Sequence, residues 1–201
     1  MPPYAELEVT TNFSFLRSAS HPAEMAKTAA ALGLSAVAVA DRNTLAGVVR
    51  AHQAAKQAGI KLVVGARLDL QDAPSMLCFP TDRAAYGRLS TLITLGRRRA
   101  AKGECEIRLE DVFAHSGGQV FISLPPSGMG PEPDAAYTAH LRRLREILGR
   151  DVWLAARCRY HGNDGARLWA LARLAVDVNI PMVATNDVHY HSPDRRDAQD
   201  I

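Results

Sequence analysis

The sequence predicts a parallel α/β protein with barrel-like closure, and three observations carry that prediction. Short apolar runs rich in Val, Ile and Leu alternate with longer amphipathic stretches, the pattern of repeated βα units. Most of those runs lack clean polar alternation, as expected of parallel strands covered on both faces. Polar residues collect just after the runs, where the carboxyl ends of parallel strands converge on one mouth.

The elements follow in order. A first strand is expected at Ala5–Thr10, with Glu6, Glu8 and Thr10 spaced by two and so on one face. Ser20-His21-Pro22 with Glu24 opens a helix that places Met25, Ala29 and Leu32 at helical spacing and stops at Gly33. Strand Ser35–Ala40 precedes a helix over Thr44–Ala58, which sets Leu45, Val48, Val49 and His52 on one face and ends at Gly59. Strands Lys61–Val64 and Ser75–Phe79 lead to a helix over Asp82–Leu95. Strand Gln119–Leu124 lies in the Gly-, Pro- and Ser-rich segment Ser116–Pro133, read as including an exposed loop. Helix Asp134–Leu148, strand Val152–Ala156, helix Asp164–Val178 and strand Pro181–Thr185 complete the chain. Each of the last three helices opens on an acidic residue, which caps exposed backbone N–H groups.

Composition bounds the function. The chain has 201 residues, 47% hydrophobic and 22% charged, enough for one large domain that folds without a disulfide or metal staple. Its net charge is +3, from 24 basic and 21 acidic residues, too small to identify a nucleic-acid binder. Three scattered cysteines, Cys78, Cys105 and Cys158, form neither a disulfide framework nor a metal clip. The longest weakly polar run, Ala29 to Ala40, is broken by Gly33 and Ser35, and the amino terminus MPPYAELEV lacks a signal-like pattern. The expectation is a cytoplasmic protein without a membrane partner.

The candidate site residues sit at the predicted strand ends. Asp41-Arg42-Asn43, Gly65-Ala66-Arg67, Arg157 and Asn186-Asp187-Val188-His189 each follow a strand. Asp187 and His189, two apart in an extended segment, can aim a carboxylate and an imidazole the same way, a pattern suited to a divalent metal, although as an isolated pair it more often serves a structural role. Glu6 and Glu8 could add hard oxygen ligands. The other histidines considered, His21, His52, His115, His140 and His161, fall in caps, loops or helix faces. No nucleophile elbow, phosphate-binding loop or dinucleotide fingerprint occurs. Arg97, Arg98, Arg99 and Lys102 cluster at a helix end, consistent with a solvated face, a dipole contact, or contact with DNA or another domain.

The segments Tyr4–Pro22, Ala38–Leu70, Leu77–Cys105 and Val183–Asp200, in that order, resemble the N-terminal PHP (polymerase and histidinol phosphatase) domain of bacterial family C DNA polymerases, most closely its error-prone branch. The resemblance implies a PHP-type distorted (β/α)7 barrel with mostly parallel strands, a single domain over 1–201, and an amino-terminal fragment of a longer polymerase that continues beyond Asp200-Ile201. Active PHP relatives bind two or three divalent metals at the mouth and hydrolyse phosphoesters, in some polymerases as a proofreading exonuclease. Here the family's His-x-His is Glu6 and Glu8. Its Asp-His is Asp41-Arg42, Arg67 takes the place of a Glu, and a histidine near Ser75–Met76 is missing. Asp187 and His189 keep the final motif.

A guanidinium stays protonated and has no lone pair to give a metal. The expectation is therefore that Arg42 and Arg67 replace cations by pairing with Glu6, Glu8, Asp41 or Asp187. Asp41, Asp187 and His189 are then vestigial ligands, and the domain has no catalytic residue and no cofactor of its own. The resemblance further implies translesion synthesis and damage-induced mutagenesis by the parent polymerase, with magnesium in its own active site. Its implied partners are the remaining polymerase chain, primer–template DNA, mutagenesis accessory proteins and the sliding clamp. The alternatives are an active metal-dependent phosphoesterase or 3′–5′ exonuclease using Glu6, Glu8, Asp41, Asp187 and His189, and a free-standing barrel enzyme acting on a sugar or amino acid.

Overall fold

A computed structural model describes residues 3–126, 134–158, 160 and 162–199. The chain forms two compact units, Met1–Arg67 with Asn186–Ile201, and Leu68–Thr185.

The first unit carries three parallel strands, β1 (Ala5–Val9), β2 (Ala36–Arg42) and β3 (Lys61–Leu68, whose last residue opens the second unit), with helices α1 (Pro22–Ala31) and α2 (Val48–Ala58). His21 caps α1: its ring accepts from the Ala23 N–H, while Glu24 reaches back to the His21 N–H at 2.8 Å. The core of this unit joins Val9 and Val37 to Met25, Ala26 and Ala29 of α1 and to Ala54, Ala55 and Ile60. Small residues on both helices allow close approach. Buried apolar surface of this kind contributes about 25 cal/mol per Å² and orders the unit.

Two expectations for these elements are corrected. Strands β2 and β3 run past their apolar stretches, to Arg42 and Leu68, because the ladder continues through Asp41↔Ala66 and Arg42↔Arg67. Backbone pairing needs no apolar side chain. Helix α2 begins at Val48, later than the expected Thr44, and buries Ala51, Ala54 and Ala55, leaving His52 and Val49 exposed. Gly47 packs so tightly at its start that a Cβ there would lie 3.0 Å from both Asp41 Oδ2 and the Phe13 ring.

The second unit contains β4 (Met76–Pro80), β5 (Gln119–Ser123), β6 (Val152–Ala156) and β7 (Met182–Ala184), with helices α3 (Arg83–Arg99), α4 (Leu109–Ala114), α5 (Ala135–Leu148) and α6 (Asp164–Asp177). β5, β6 and β7 pair in parallel, whereas β4 pairs antiparallel with β5. Asp82 and Asp134 cap α3 and α5 by accepting from Ala85 and Tyr137 N–H groups. Helix α3 runs one turn beyond the expected Leu95, and α4 was not signalled by any apolar period because it is a six-residue turn. Residues 127–133 of the Ser116–Pro133 loop, and His161, lie outside the described residues. Among the described residues, no helix is long and apolar enough to cross a membrane.

Candidate functional site: a carboxylate cluster held by arginine, imidazole and neutral donors

Glu6, Glu8, Asp41, Arg42, Arg67, Asp187 and His189 all belong to the first unit. β1 delivers the two glutamates, both buried and alternating with half-buried Ala5 and Leu7. The β1–β2 register shifts between Glu6 and Val9, so that Glu6 pairs with Val37 and Val9 with Val39. At this irregularity Glu8 and Val9 are both buried in succession.

The two glutamates have different partners. Glu6, 3% exposed, lines a cavity of about 200 Å³ with Val9, Val37, Met25 and Ala29. Its carboxylate accepts from the Tyr4 hydroxyl at 2.8 Å, the Glu8 N–H at 2.8 Å, and the Asn186 side chain and backbone at 2.9 and 3.3 Å. These neutral donors satisfy the buried charge. Burial and the Glu6 charge push the Tyr4 phenol well above its ordinary pKa, which keeps it a donor. Glu8 instead lies 3.7 Å from the Arg67 guanidinium.

Asp41, 1% exposed, turns to the loop that follows β1. It accepts from the Thr11 N–H and hydroxyl, each at 2.8 Å, and from the Ser14 hydroxyl at 2.7 Å. Burial raises its pKa, and these three hydrogen bonds oppose the rise. The Ser14 oxygen in turn accepts from the Arg42 N–H at 2.9 Å.

Asp187 has φ of 52°, a left-handed conformation that turns the chain after β7. The next residue docks on β1: Val188 N–H donates to the Glu8 carbonyl at 2.8 Å, and its carbonyl accepts from Thr10 at 2.9 Å. Asp187 Oδ1 lies 3.7 Å from Arg67 Nη1, so one guanidinium spans Glu8 and Asp187. His189 Nε2 donates to Asp187 Oδ1 at 3.2 Å, and its Nδ1 donates to the Arg17 carbonyl at 2.7 Å. The Arg17 carbonyl only accepts, so Nδ1 carries a proton, and the Asp187 carboxylate facing Nε2 favours a second proton there. Its pKa is raised, first by the Asp187 hydrogen bond, against burial and the nearby Arg42 charge.

The arrangement can neutralise charge and hold backbone. Among the described residues, no three His, Cys, Asp or Glu side chains come together as a metal-holding group. Sequence reasoning missed the residues that complete the network: Tyr4, Thr11, Ser14 and the Arg17 carbonyl. For the last three the sequence signal is a polar position on the loop after β1, common in loops, while Tyr4 lies just before that strand.

The basic cluster lies in the second unit. Arg97, Arg98 and Arg99 form the last turn of α3, where cations complement the helix dipole, and Lys102 is exposed beyond it. Arg99 pairs with Asp111 at 2.5 Å, and burial raises the Cys105 thiol pKa, a rise that the Arg97 charge opposes. Arg98 and Arg99 border an open depression of about 420 Å³ with Thr91, Thr94 and Leu95. Arg157 is buried in this unit.

The sequence profile described as the PHP domain matches residues 6–158. The chain is 51% identical over 201 residues to an error-prone DNA polymerase of Caulobacter vibrioides, covering 100% of this chain and 18% of that protein. It is 48% identical over 198 residues to error-prone DNA polymerase 2 of Agrobacterium fabrum, covering 98% of this chain and 18% of the relative. The chain thus spans less than a fifth of the length of these curated relatives.

Two solved structures share the fold. One is a candidate metal-dependent phosphoesterase from Bifidobacterium adolescentis, with TM-score 0.71, 17% identity, and coverage of 96% of this chain and 90% of that one. The other is an amidohydrolase from Chromobacterium violaceum, described with bound sulfate and no metal, with TM-score 0.72, 14% identity, and coverage of 92% and 87%. Their likeness shows the expected fold class, a PHP- and amidohydrolase-type (β/α) barrel of seven mostly parallel strands.

Proposed function

This chain belongs to the PHP domain family, and on that premise we propose that it is the amino-terminal PHP domain of an error-prone DNA polymerase serving translesion synthesis and damage-induced mutagenesis in the cytoplasm. Within that polymerase the domain is metal-free, catalytically inactive and structural. The observation that carries the reading is the placement of Arg67 between Glu8 and Asp187, with His189 donating through both ring nitrogens. The donor set does not fit a PHP metal cluster. A guanidinium cannot ligate, the Asp187 hydrogen bond favours a protonated His189 Nε2 with no lone pair to give, and the Glu6 and Asp41 oxygens already accept hydrogen bonds from neutral donors. Relatives named as error-prone DNA polymerases support the parent assignment.

The partners in this reading are the rest of the polymerase chain, primer–template DNA, mutagenesis accessory proteins and the sliding clamp. Arg98, with Arg97, Arg99 and Lys102, would meet DNA backbone or another domain, and phosphate contact would show as a steep salt dependence of DNA affinity. Elemental analysis of the purified full-length polymerase tests the metal-free assignment. Far less than one zinc, manganese or iron per chain is expected. Near-stoichiometric metal together with 3′–5′ exonuclease activity that disappears in an Asp187→Asn variant would establish the active phosphoesterase instead.

A further inference from the structure

The loop between β1 and α1, Thr11–Ser20, combines a heavily anchored base with an apolar tip. At one side of the base, Asp41 holds the Thr11 N–H and the Thr11 and Ser14 hydroxyls. At the other, His189 Nδ1 holds the Arg17 carbonyl, and the His189 carbonyl accepts from the Ser18 hydroxyl and the Ala19 N–H. The loop closes on itself through Asn12 N–H to Ser20 O at 2.9 Å, Ser14 N–H to Thr11 O at 2.9 Å and Arg17 N–H to Ser14 O at 3.0 Å. Between these ties the tip turns Phe15 and Leu16 outward, 84% and 73% exposed, with Leu16 at φ of 57°. A leucine adopts this left-handed conformation only where surrounding bonds impose it.

We propose that Thr11–Ser20 is a rigid docking element whose Phe15–Leu16 tip seats in an apolar pocket on the part of the longer polypeptide that follows residue 201. This rests on the reading above that the chain is one domain of a longer polymerase. The residues aligned with the family's metal ligands, Asp41 and His189, then act as positioning residues for the loop. A loop already ordered loses little conformational freedom on docking.

Strength of binding identifies the occupant. Two side chains of this size support a dissociation constant of only about millimolar when buried alone. A separate partner at cellular concentration would leave such a tip empty. A tether supplies about millimolar effective concentration, which makes the same contact persistent within one chain. The curated relatives, of which this chain spans 18%, have ample further sequence to provide the pocket.

The test is photocrosslinking in the full-length polypeptide, with benzoylphenylalanine placed at position 15 or, as a reference, at exposed Lys27 on α1. The expected result is cross-links from position 15 to residues beyond 201 of the same chain, at least about tenfold above those from position 27. Cross-links to DNA, to a second copy or to another protein, or none above the reference, overturn the proposal. A Phe15→Ser, Leu16→Ser double variant should raise hydrogen exchange about tenfold in the cross-linked downstream peptide while the Thr11 amide stays protected. Loss of Thr11 protection in that variant would overturn the rigid-element assignment. A mature polypeptide ending at residue 201 would overturn the parent reading as well, whereas a longer chain without the cross-link overturns the docking alone.

Discussion

Arg67 stands 3.7 Å from the Glu8 carboxylate, with the Arg67 side chain 12% exposed and that of Glu8 2% exposed. Removing one partner of a buried ion pair leaves an uncompensated charge and typically costs about 3–5 kcal/mol, whereas replacing the whole pair by matched neutral groups is often nearly neutral. Arg67→Met should therefore destabilise the protein by about 3–5 kcal/mol in urea unfolding, and adding Glu8→Gln should recover most of that loss. Additive effects of the two substitutions would show that the pair is not coupled. Asp187, also 3.7 Å from Arg67, limits full recovery.

The double donation by His189 carries a pH signature. Its folded-state pKa is raised, chiefly by the Asp187 hydrogen bond. Its stabilisation is then fully present below the ordinary histidine value of about 6.5 and is lost as pH rises through the raised folded value. Long-range proton–nitrogen NMR across a pH titration should find a midpoint above the ordinary histidine value, with both ring nitrogens protonated below it. A midpoint at or below about 6.5 would refute the assignment. Asp187→Asn should lower the titration midpoint.

Asp41 organises the loop after β1 through acceptors, and two substitutions separate shape from charge. Asp41→Ala leaves the Thr11 N–H and two hydroxyls without their buried acceptor and should cost about 3–5 kcal/mol. Asp41→Asn keeps one acceptor oxygen and should cost roughly 1 kcal/mol. Thermal unfolding of both variants distinguishes these outcomes, and equal losses would mean that the carboxylate charge itself holds the loop.

Two glycines of α3 make opposite predictions. A Cβ on Gly96 would lie 2.5 Å from Ile107 Cγ1 and 2.8 Å from Cys105 Sγ, where Glu106 N–H also donates to the Gly96 carbonyl at 2.9 Å. Gly96→Ala should destabilise by about 1–3 kcal/mol through overpacking. Gly87, on the same helix, has open space around its added Cβ, so Gly87→Ala should stabilise by about 0.5–1 kcal/mol. Denaturant midpoints of the two variants that move in the same direction would contradict the packing described at Gly96.

Much of the architecture was legible because its signals act over a few residues. Asp82 and Asp134 cap helices where an acidic residue opens an amphipathic run, and Gly59 ends α2 with φ of 69°. The strand ends were less legible, since an apolar run marks what is buried and says little about how far a ladder continues. Asp41, Arg42 and Arg67, expected in loops, extend β2 and β3. His52 shows the same limit: its spacing placed it on an apolar face, but close packing of Ala51, Ala54 and Ala55 turned it outward.

The sequence by itself determined the βα order, the caps and the charges that lie at the strand ends, Arg42 and Arg67 among them. Tertiary structure alone decided which charge meets which partner. Glu6 and Glu8 are two residues apart, yet one meets Tyr4 and Asn186 and the other Arg67. His189 finds the Arg17 carbonyl 172 positions away. Local propensity is set by neighbours along the chain, whereas the partner of a buried charge is set by strand register and loop closure, which exist only once the chain has folded.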